Sequence, residues 1–117
     1  MRHLKEGKKF GRLKGARASF VRNLANDLIR AGSIETTEVR AKAIRPVVER
    51  LVTFARKQTL ASRRVIIGRV HNMKIADKLY HDLGPRYAGR AGGYLRITLL
   101  AKSRKRDGTR IARIEFV

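Results

Sequence analysis

The sequence contains no cysteine and only three histidines. Without cysteine the chain forms neither disulfide bonds nor thiolate metal sites. His3, His71 and His81 lie far apart, and none of them has a second metal-binding side chain at the spacing of a ligand set. We therefore predict no metal site and no cofactor.

Long apolar stretches are also missing. The longest runs are only a few residues, such as Val65–Ile67, so no segment is predicted to span a membrane. No apolar segment follows the first residues, which is the pattern expected of a chain without a secretory signal. The hydrophobic fraction of 43% is nevertheless too high for a disordered basic tail. These features favour a soluble, intracellular protein with a single compact domain.

Acidic residues are scarce, with 9 Asp and Glu against 29 Lys and Arg and a formal net charge of +20. A chain this basic repels itself unless a polyanion or counterions accompany it. Nucleic acid is the first partner that such a charge indicates. On charge alone, an anionic membrane surface or an acidic protein stays open as an alternative.

Residues able to carry catalysis are few. Asp77 and Asp82 are five residues apart and would not share a helix face, and Glu35 and Glu38 straddle a predicted strand-to-helix junction. No nucleophile has a nearby base in sequence, and a nuclease would need a carboxylate or histidine cluster. We therefore predict that the protein is not an enzyme.

The first 17 residues form a basic segment without a periodic apolar face. Seven basic residues stand there against one glutamate, a net charge of +6. We interpret residues 1–17 as a flexible RNA-binding arm that precedes a single α/β domain over residues 18–117. The cations and histidine of the arm predicted to bind RNA are Arg2, His3, Lys5, Lys8, Lys9, Arg12, Lys14 and Arg17.

The rest of the chain shows alternating helix and strand signals. Apolar spacing predicts a helix over residues 18–31 with a Ser19 cap and a Gly32 stop, and a strand over 33–37. A second helix begins after a Thr37 cap, and Pro46 inside it either kinks or breaks it. Further helices are predicted over about 60–70 and 72–83, the latter ending at Gly84-Pro85, and strands over 94–103 and 110–117. An Asp107-Gly108 pair predicts a two-residue hairpin between them.

This order, α-β-α-α-α-β-β, predicts an α+β fold. A small three-stranded sheet would have helices on one face and solvent on the other, in a two-layer α/β arrangement. In the second strand Leu95, Ile97, Leu99 and Ala101 would face the helices, and in the third strand Ala112, Ile114 and Phe116 would do so.

The segment between the fourth helix and the second strand is rich in glycine, arginine and tyrosine. It lacks the Gly-Lys-Ser/Thr ending of a phosphate-binding loop, so nucleotide hydrolysis is disfavoured. Arginine binds phosphates and stacks on bases, and tyrosine also stacks, so we interpret the segment as an RNA contact. The alternative is a flexible connector whose tyrosines dock on the core. The residues predicted to bind RNA here are Arg86, Tyr87, Arg90, Gly92, Gly93, Tyr94 and Arg96.

A second basic tip lies at the predicted hairpin, where five basic residues stand against Asp107. Lys105 and Arg106 are its predicted phosphate contacts. Arg22, Arg40 and Arg45 on the helices complete the predicted RNA-binding set. Because the cations are spread over arm, loop and hairpin, the pattern suggests several RNA segments held at once.

Several motifs resemble the bacterial large-subunit ribosomal protein seventeen family over essentially the full length. They are Met1-Arg2-His3, Thr36-Thr37 before Arg40-Ala41-Lys42, Arg45-Pro46-Val47-Val48-Glu49, Leu83-Gly84-Pro85-Arg86-Tyr87, Arg90 to Ile97, and Ile114-Glu115-Phe116. The resemblance implies a ribosomal protein of bacteria, or of an organelle of bacterial descent, that is cytoplasmic in the bacterial case. It implies a monomer within the ribosome that binds large-subunit (23S-type) rRNA near the peptide exit tunnel, beside neighbouring large-subunit ribosomal proteins. It also implies no catalysis and no cofactor. A free nucleic-acid-binding architectural protein or RNA chaperone is the alternative that charge alone leaves open.

Overall fold

The computed structural model of the protein describes residues 9–117. Four residues predicted to bind RNA lie outside this range: Arg2, His3, Lys5 and Lys8. The elements in chain order are helix α1 (Lys14–Ala31), strand β1 (Ser33–Thr37), helix α2 (Glu38–Arg56), helix α3 (Leu60–Val70), helix α4 (Met73–Lys78), a π-helical turn (Leu79–Leu83), the helical turn α5 (Gly84–Arg86), and strands β2 (Leu95–Ser103) and β3 (Arg110–Phe116). The α+β class and the three-stranded sheet are confirmed.

Helix α1 begins four residues earlier than predicted. Leu13 precedes it without a side-chain cap, so the prediction that Ser19 caps the helix is wrong. Lys14 and Arg17 consequently lie on a helix rather than on an extended arm. The predicted stop is confirmed, because Gly32 adopts φ 82° and donates its N–H to the Leu28 carbonyl at 2.7 Å.

Helix α2 runs without a break through Pro46. Thr37 caps it as predicted, since its hydroxyl oxygen accepts the N–H of Arg40 at 3.3 Å. Proline cannot donate to the carbonyl one turn earlier, at Lys42. Both Pro46 and Lys42 are exposed, so water can satisfy that carbonyl. The structure therefore excludes the predicted alternative of a break at Pro46.

Helix α3 matches its predicted range and opens with a reciprocal capping box between Thr59 and Ser62. Helix α4 starts after Asn72, whose side chain accepts two backbone N–H groups. The prediction that Gly84-Pro85 ends this helix is wrong. The helical path continues through the π turn to Arg86, with Gly84 at φ −57°. Pro85 has no N–H to donate within this path, and the carbonyl of Tyr80, five residues earlier, accepts from the Nε2 of Gln58 at 2.7 Å.

The sheet has the order β1-β3-β2, and both pairings are antiparallel. Ile34, Ile114 and Ile97 lie side by side on the face that packs against α2. Ala112, Ile114 and Phe116 are buried as predicted. The sheet thus follows the predicted two-layer plan, with helices against one face.

The outer part of β2 departs from the predicted alternation. Leu99 is 50% exposed and Ala101 is exposed, although both were expected to face the helices. Leu99 still pairs in register with the buried Ala112, so it lies on the predicted face and is exposed because the helices do not cover it there. The register irregularity lies beyond it, between Leu99 and Ser103, and interrupts the two-residue period at Ala101. Residues 101–108 are all exposed, so this end of the hairpin projects beyond the helical layer.

The hairpin connection is also longer than predicted. The N–H of Arg104 bonds to the Thr109 carbonyl at 3.1 Å, and that of Gly108 bonds to the Arg104 carbonyl at 3.0 Å. Residues 105–108 therefore form the turn, and the prediction of a two-residue turn is wrong. Gly108 does occupy the left-handed region, at φ 64°, which explains the glycine signal.

Candidate nucleic-acid interface

Ion pairing divides the basic residues of the described chain into two groups. Seven of the acidic side chains from residue 9 onward form ion pairs, and these engage eight cations. Exposed pairs of this kind add little stability. They do determine which cations already have a carboxylate partner. The paired cations are Arg30, Lys42, Arg45, Arg63, Arg96, Lys102, Arg104 and Arg113.

Three cations on the solvent-facing side of the sheet are paired with two carboxylates. Glu35 accepts hydrogen bonds from Lys102 at 2.6 Å and Arg113 at 3.1 Å, and Arg96 pairs with Glu115 at 3.2 Å. The bonds from Lys102 and Arg113 hold the pKa of the Glu35 carboxyl below its ordinary value of 4.5. Glu35 therefore keeps its negative charge beside Lys102 and Arg113.

A groove lined by basic side chains lies between α1, α2 and α3. It has a volume of about 810 Å³ and no aspartate or glutamate in its lining. Val21, Ala25, Val47 and Leu51 contribute apolar surface to it. The basic residues that line it are Lys14, Arg17, Arg22, Lys42, Arg50 and Arg69. Apart from Lys42, which pairs with Glu38, none of these has a carboxylate partner among residues 9–117.

Asn26 holds α3, which forms one side of this groove, against α1. The side chain is buried, and its Nδ2 donates to the carbonyl of Val70 at 3.0 Å in the last turn of α3. A helix leaves its final carbonyls without partners inside the helix. Asn26 therefore joins α1 to the carboxyl end of α3 and keeps the helices at a fixed separation.

Stacked arginines hold the residues before α1 against the helices. The Arg12 guanidinium lies 3.9 Å from the centre of the Phe20 ring, and that of Arg40 lies 5.1 Å from it. The Phe10 ring is 5.3 Å from the Phe20 ring, and Arg12 also donates to the Phe10 carbonyl at 2.8 Å. Two predicted RNA-binding cations, Arg12 and Arg40, thus share one aromatic platform.

The tyrosines of the glycine-rich segment belong to the core. Tyr87 and Tyr94 are 5% and 1% exposed, and their rings lie 5.3 Å apart. The Tyr87 hydroxyl donates to the Val117 carbonyl at 2.7 Å, and burial raises its pKa. The Tyr94 hydroxyl accepts a hydrogen bond from Arg56 at 3.1 Å. These tyrosines therefore dock on the core, as the alternative interpretation has it, and RNA contact by this segment stays a prediction.

The arginines of the same segment point outward. Arg86 lies over the Tyr87 ring at 5.2 Å, and the Nε of Arg90 donates to the Gly92 carbonyl at 3.1 Å. Both side chains are exposed, and neither has a carboxylate partner in the part of the chain that the structure describes. Gly92 and Gly93 have φ values of 155° and 62°, so glycine is required for this backbone path.

The hairpin tip adds a third cationic surface. Arg104 is bonded to Asp107 at 2.8 Å, and hydrogen bonds from Thr109 hold the pKa of the Asp107 carboxyl below its ordinary value. Lys105 and Arg106 are exposed and have no carboxylate partner within residues 9–117. These two predicted contacts are therefore available to an external anion.

The predicted RNA-binding residues thus differ in whether they lie at the groove or are engaged by a carboxylate. Lys14, Arg17 and Arg22 meet at the groove, whereas Arg45 and Arg96 are engaged by Glu49 and Glu115. Lys9 is exposed just before the aromatic platform. Sequence reasoning missed Arg50 and Arg69, because they come from different helices and meet the others only after folding.

The structure also bears on metal binding and on membrane insertion. From residue 9 to the last residue, no group of three histidine, aspartate or glutamate side chains is close enough to hold a metal ion. None of the helices that the structure describes has both the length and the hydropathy needed to cross a bilayer.

Comparison with known proteins gives one consistent result. The family model described as "Ribosomal protein L17" matches residues 20–117. The large ribosomal subunit protein bL17 of Gemmatimonas aurantiaca is 49% identical over 117 residues, which is 100% of this chain and 98% of the relative. The protein of the same name from Persephonella marina is 48% identical over 118 residues, with 100% and 95% covered. That from Thermus thermophilus is 38% identical over 117 residues, with 100% and 99% covered.

Proposed function

The chain belongs to the ribosomal protein L17 family, and from that premise we propose that it is a structural, non-catalytic constituent of the large ribosomal subunit that binds large-subunit rRNA. The relatives carry the name of a large-subunit protein and match this chain from end to end. The likeness therefore applies to the whole chain and not to one motif.

The observation that carries the RNA-binding part of the proposal is the segregation of charge. Among residues 9–117, the groove, the Arg86–Arg90 loop and the hairpin tip present cations without carboxylate partners, whereas three cations of the open sheet face are paired. Cations that lack a partner in the protein are the ones that release counterions when they meet phosphates. Three such surfaces on one rigid body would fix the relative positions of separate RNA segments.

The proposed location of the protein within the ribosome rests on the family resemblance. We place the protein near the outlet of the peptide exit tunnel, as a monomer beside neighbouring large-subunit proteins, in the bacterial cytoplasm. The open sheet face is the surface best suited to a protein neighbour, because three of its cations already have carboxylate partners.

Binding of the purified chain to large-subunit rRNA fragments tests this function. The affinity should fall steeply with salt, with a log–log slope of about −0.7 to −0.9 for each phosphate contact. Fluorescence anisotropy over a salt series would measure it, with an unrelated duplex DNA of equal length as the control. Equal affinity for the RNA and the DNA at physiological salt would contradict the proposal and favour a free architectural protein or RNA chaperone.

A further inference from the structure

The groove between α1, α2 and α3 combines two properties that phosphate binding alone does not require. Among residues 9–117 its rim is cationic and has no carboxylate, yet Val21, Ala25, Val47 and Leu51 give it an apolar floor. The concavity exists because small residues line it, among them Ala18, Ala43 and Gly68. A Cβ built on Gly68 would meet nothing within 4 Å, so the space at that wall is open.

We propose that this groove receives an unpaired nucleotide of the bound RNA, with the base against the apolar floor and the flanking phosphates on the cationic rim. The inference rests on the proposed RNA-binding function and specifies the form of RNA that this surface takes. A volume of about 810 Å³ falls within the roughly 300–1,000 Å³ of pockets that enclose small organic ligands. It therefore has room for at least one base.

The chemistry of the groove favours an unpaired base over a duplex. A duplex presents phosphates and riboses to a protein and keeps the faces of its bases stacked inside. It would neutralise the rim but leave the apolar floor in water. An unpaired nucleotide offers an apolar face and a phosphate together, and proteins bind such bases on apolar, aromatic and guanidinium surfaces. Arg17, Arg50 and Arg69 supply guanidinium groups at this rim.

Charge also argues against the chain's own first residues as the occupant. Residues 1–8 contain Arg2, Lys5 and Lys8 against Glu6. Placing this net positive segment among six rim cations would bring like charges together, at a cost in free energy. An anionic occupant removes that repulsion instead.

Three RNA hairpins of identical stem test the proposal with the full chain. One has a single bulged adenosine, one has an abasic ribose at the bulge, and one is fully paired. We expect the adenosine bulge to bind about tenfold more tightly than the other two, because only it supplies a base for the floor. Anisotropy titrations at fixed salt would measure the three affinities.

Protein variants that fill the groove without changing its charge complement the RNA test. Ala18→Leu and Ala43→Leu place extra methyl groups in the groove, whereas Ala16→Leu makes the same change on an exposed part of α1 that does not line it. The filled variants should lose the tenfold preference while keeping the wild-type affinity for the paired stem. The Ala16→Leu protein should keep both.

Equal affinity of the wild-type chain for all three hairpins would overturn the proposal, and this comparison needs no variant to fold. An unchanged preference in the filled variants would also overturn it, and would assign the groove to residues 1–8 or to an acidic segment of a protein neighbour. Failure of the proposed RNA-binding function would give a different result from failure of the groove proposal. In that case none of the three RNAs would show steep, salt-dependent binding.

Discussion

Replacing Gly84 with alanine is expected to destabilise the fold by about 3 kcal/mol. A Cβ at this position would lie 2.6 Å from the carbonyl oxygen of Ala55 and 2.7 Å from the Nε2 of Gln58. That same Nε2 bridges the carbonyls of Ala55 and Tyr80, each at 2.7 Å. The backbone at the end of α2 cannot move away without loss of these bonds, so the helical turn at Gly84 must shift. Urea unfolding of the two proteins would measure the difference in the free energy of unfolding.

Gly68→Ala is the matched control, because it makes the same change inside α3, where nothing lies within 4 Å of the new Cβ. Alanine is favoured over glycine within a helix, so this variant should be more stable than wild type by about 0.5–1 kcal/mol. A Gly84→Ala protein as stable as wild type would show that α2 and the turn at Gly84 are not in close contact.

The largest expected effect on RNA binding comes from the groove cations. The triple variant Arg17→Gln, Arg50→Gln and Arg69→Gln removes three cations that have no carboxylate partner among residues 9–117. We expect the magnitude of the log–log salt slope to fall by about 2 to 3, roughly one for each lost phosphate contact. The affinity for an rRNA fragment should fall roughly a hundredfold, as expected for the loss of three charge-assisted contacts.

A second triple variant controls for total charge. Arg96→Gln, Lys102→Gln and Arg113→Gln also lower the formal net charge from +20 to +17, but these cations are paired with Glu35 and Glu115. Its salt slope should stay close to that of the wild type, since these cations are already engaged. Equal losses in the two triple variants would mean that net charge, and not its placement, governs binding.

Local sequence signals predicted the parts of the fold that local chemistry determines. The left-handed stop at Gly32, the Thr37 cap and the range of α3 each depend on residues within a few positions. The alternation in β3 also held, because one face of that central strand is covered by α2.

Two of the failures involve influences from distant residues. Gly84-Pro85 carries the pattern of a helix stop, yet the glycine is needed for its contact with Ala55, 29 residues away in the chain. Alternation in β2 predicted a buried Leu99, and Leu99 does lie opposite the buried Ala112, but the helical layer does not cover that end of the strand.

The candidate site was predictable in its charge but not in its shape. The basic arm, loop and hairpin are visible as local runs of Lys and Arg. Arg50 and Arg69 join Arg17 only through the packing of three helices, so no spacing rule could have grouped them. The tyrosines beside Arg86 and Arg90 resemble a stacking surface in sequence, and only their burial shows that they pack inside.

Quantification of this chain in purified large ribosomal subunits tests the central claim most directly. Subunits from cells that make the protein would be separated on sucrose gradients after a high-salt wash and analysed by quantitative mass spectrometry. The account predicts a stoichiometric amount of the chain in the large-subunit fraction, retained in step with other large-subunit proteins. Recovery of the chain mainly in the free fraction, while those proteins stay bound, would contradict it.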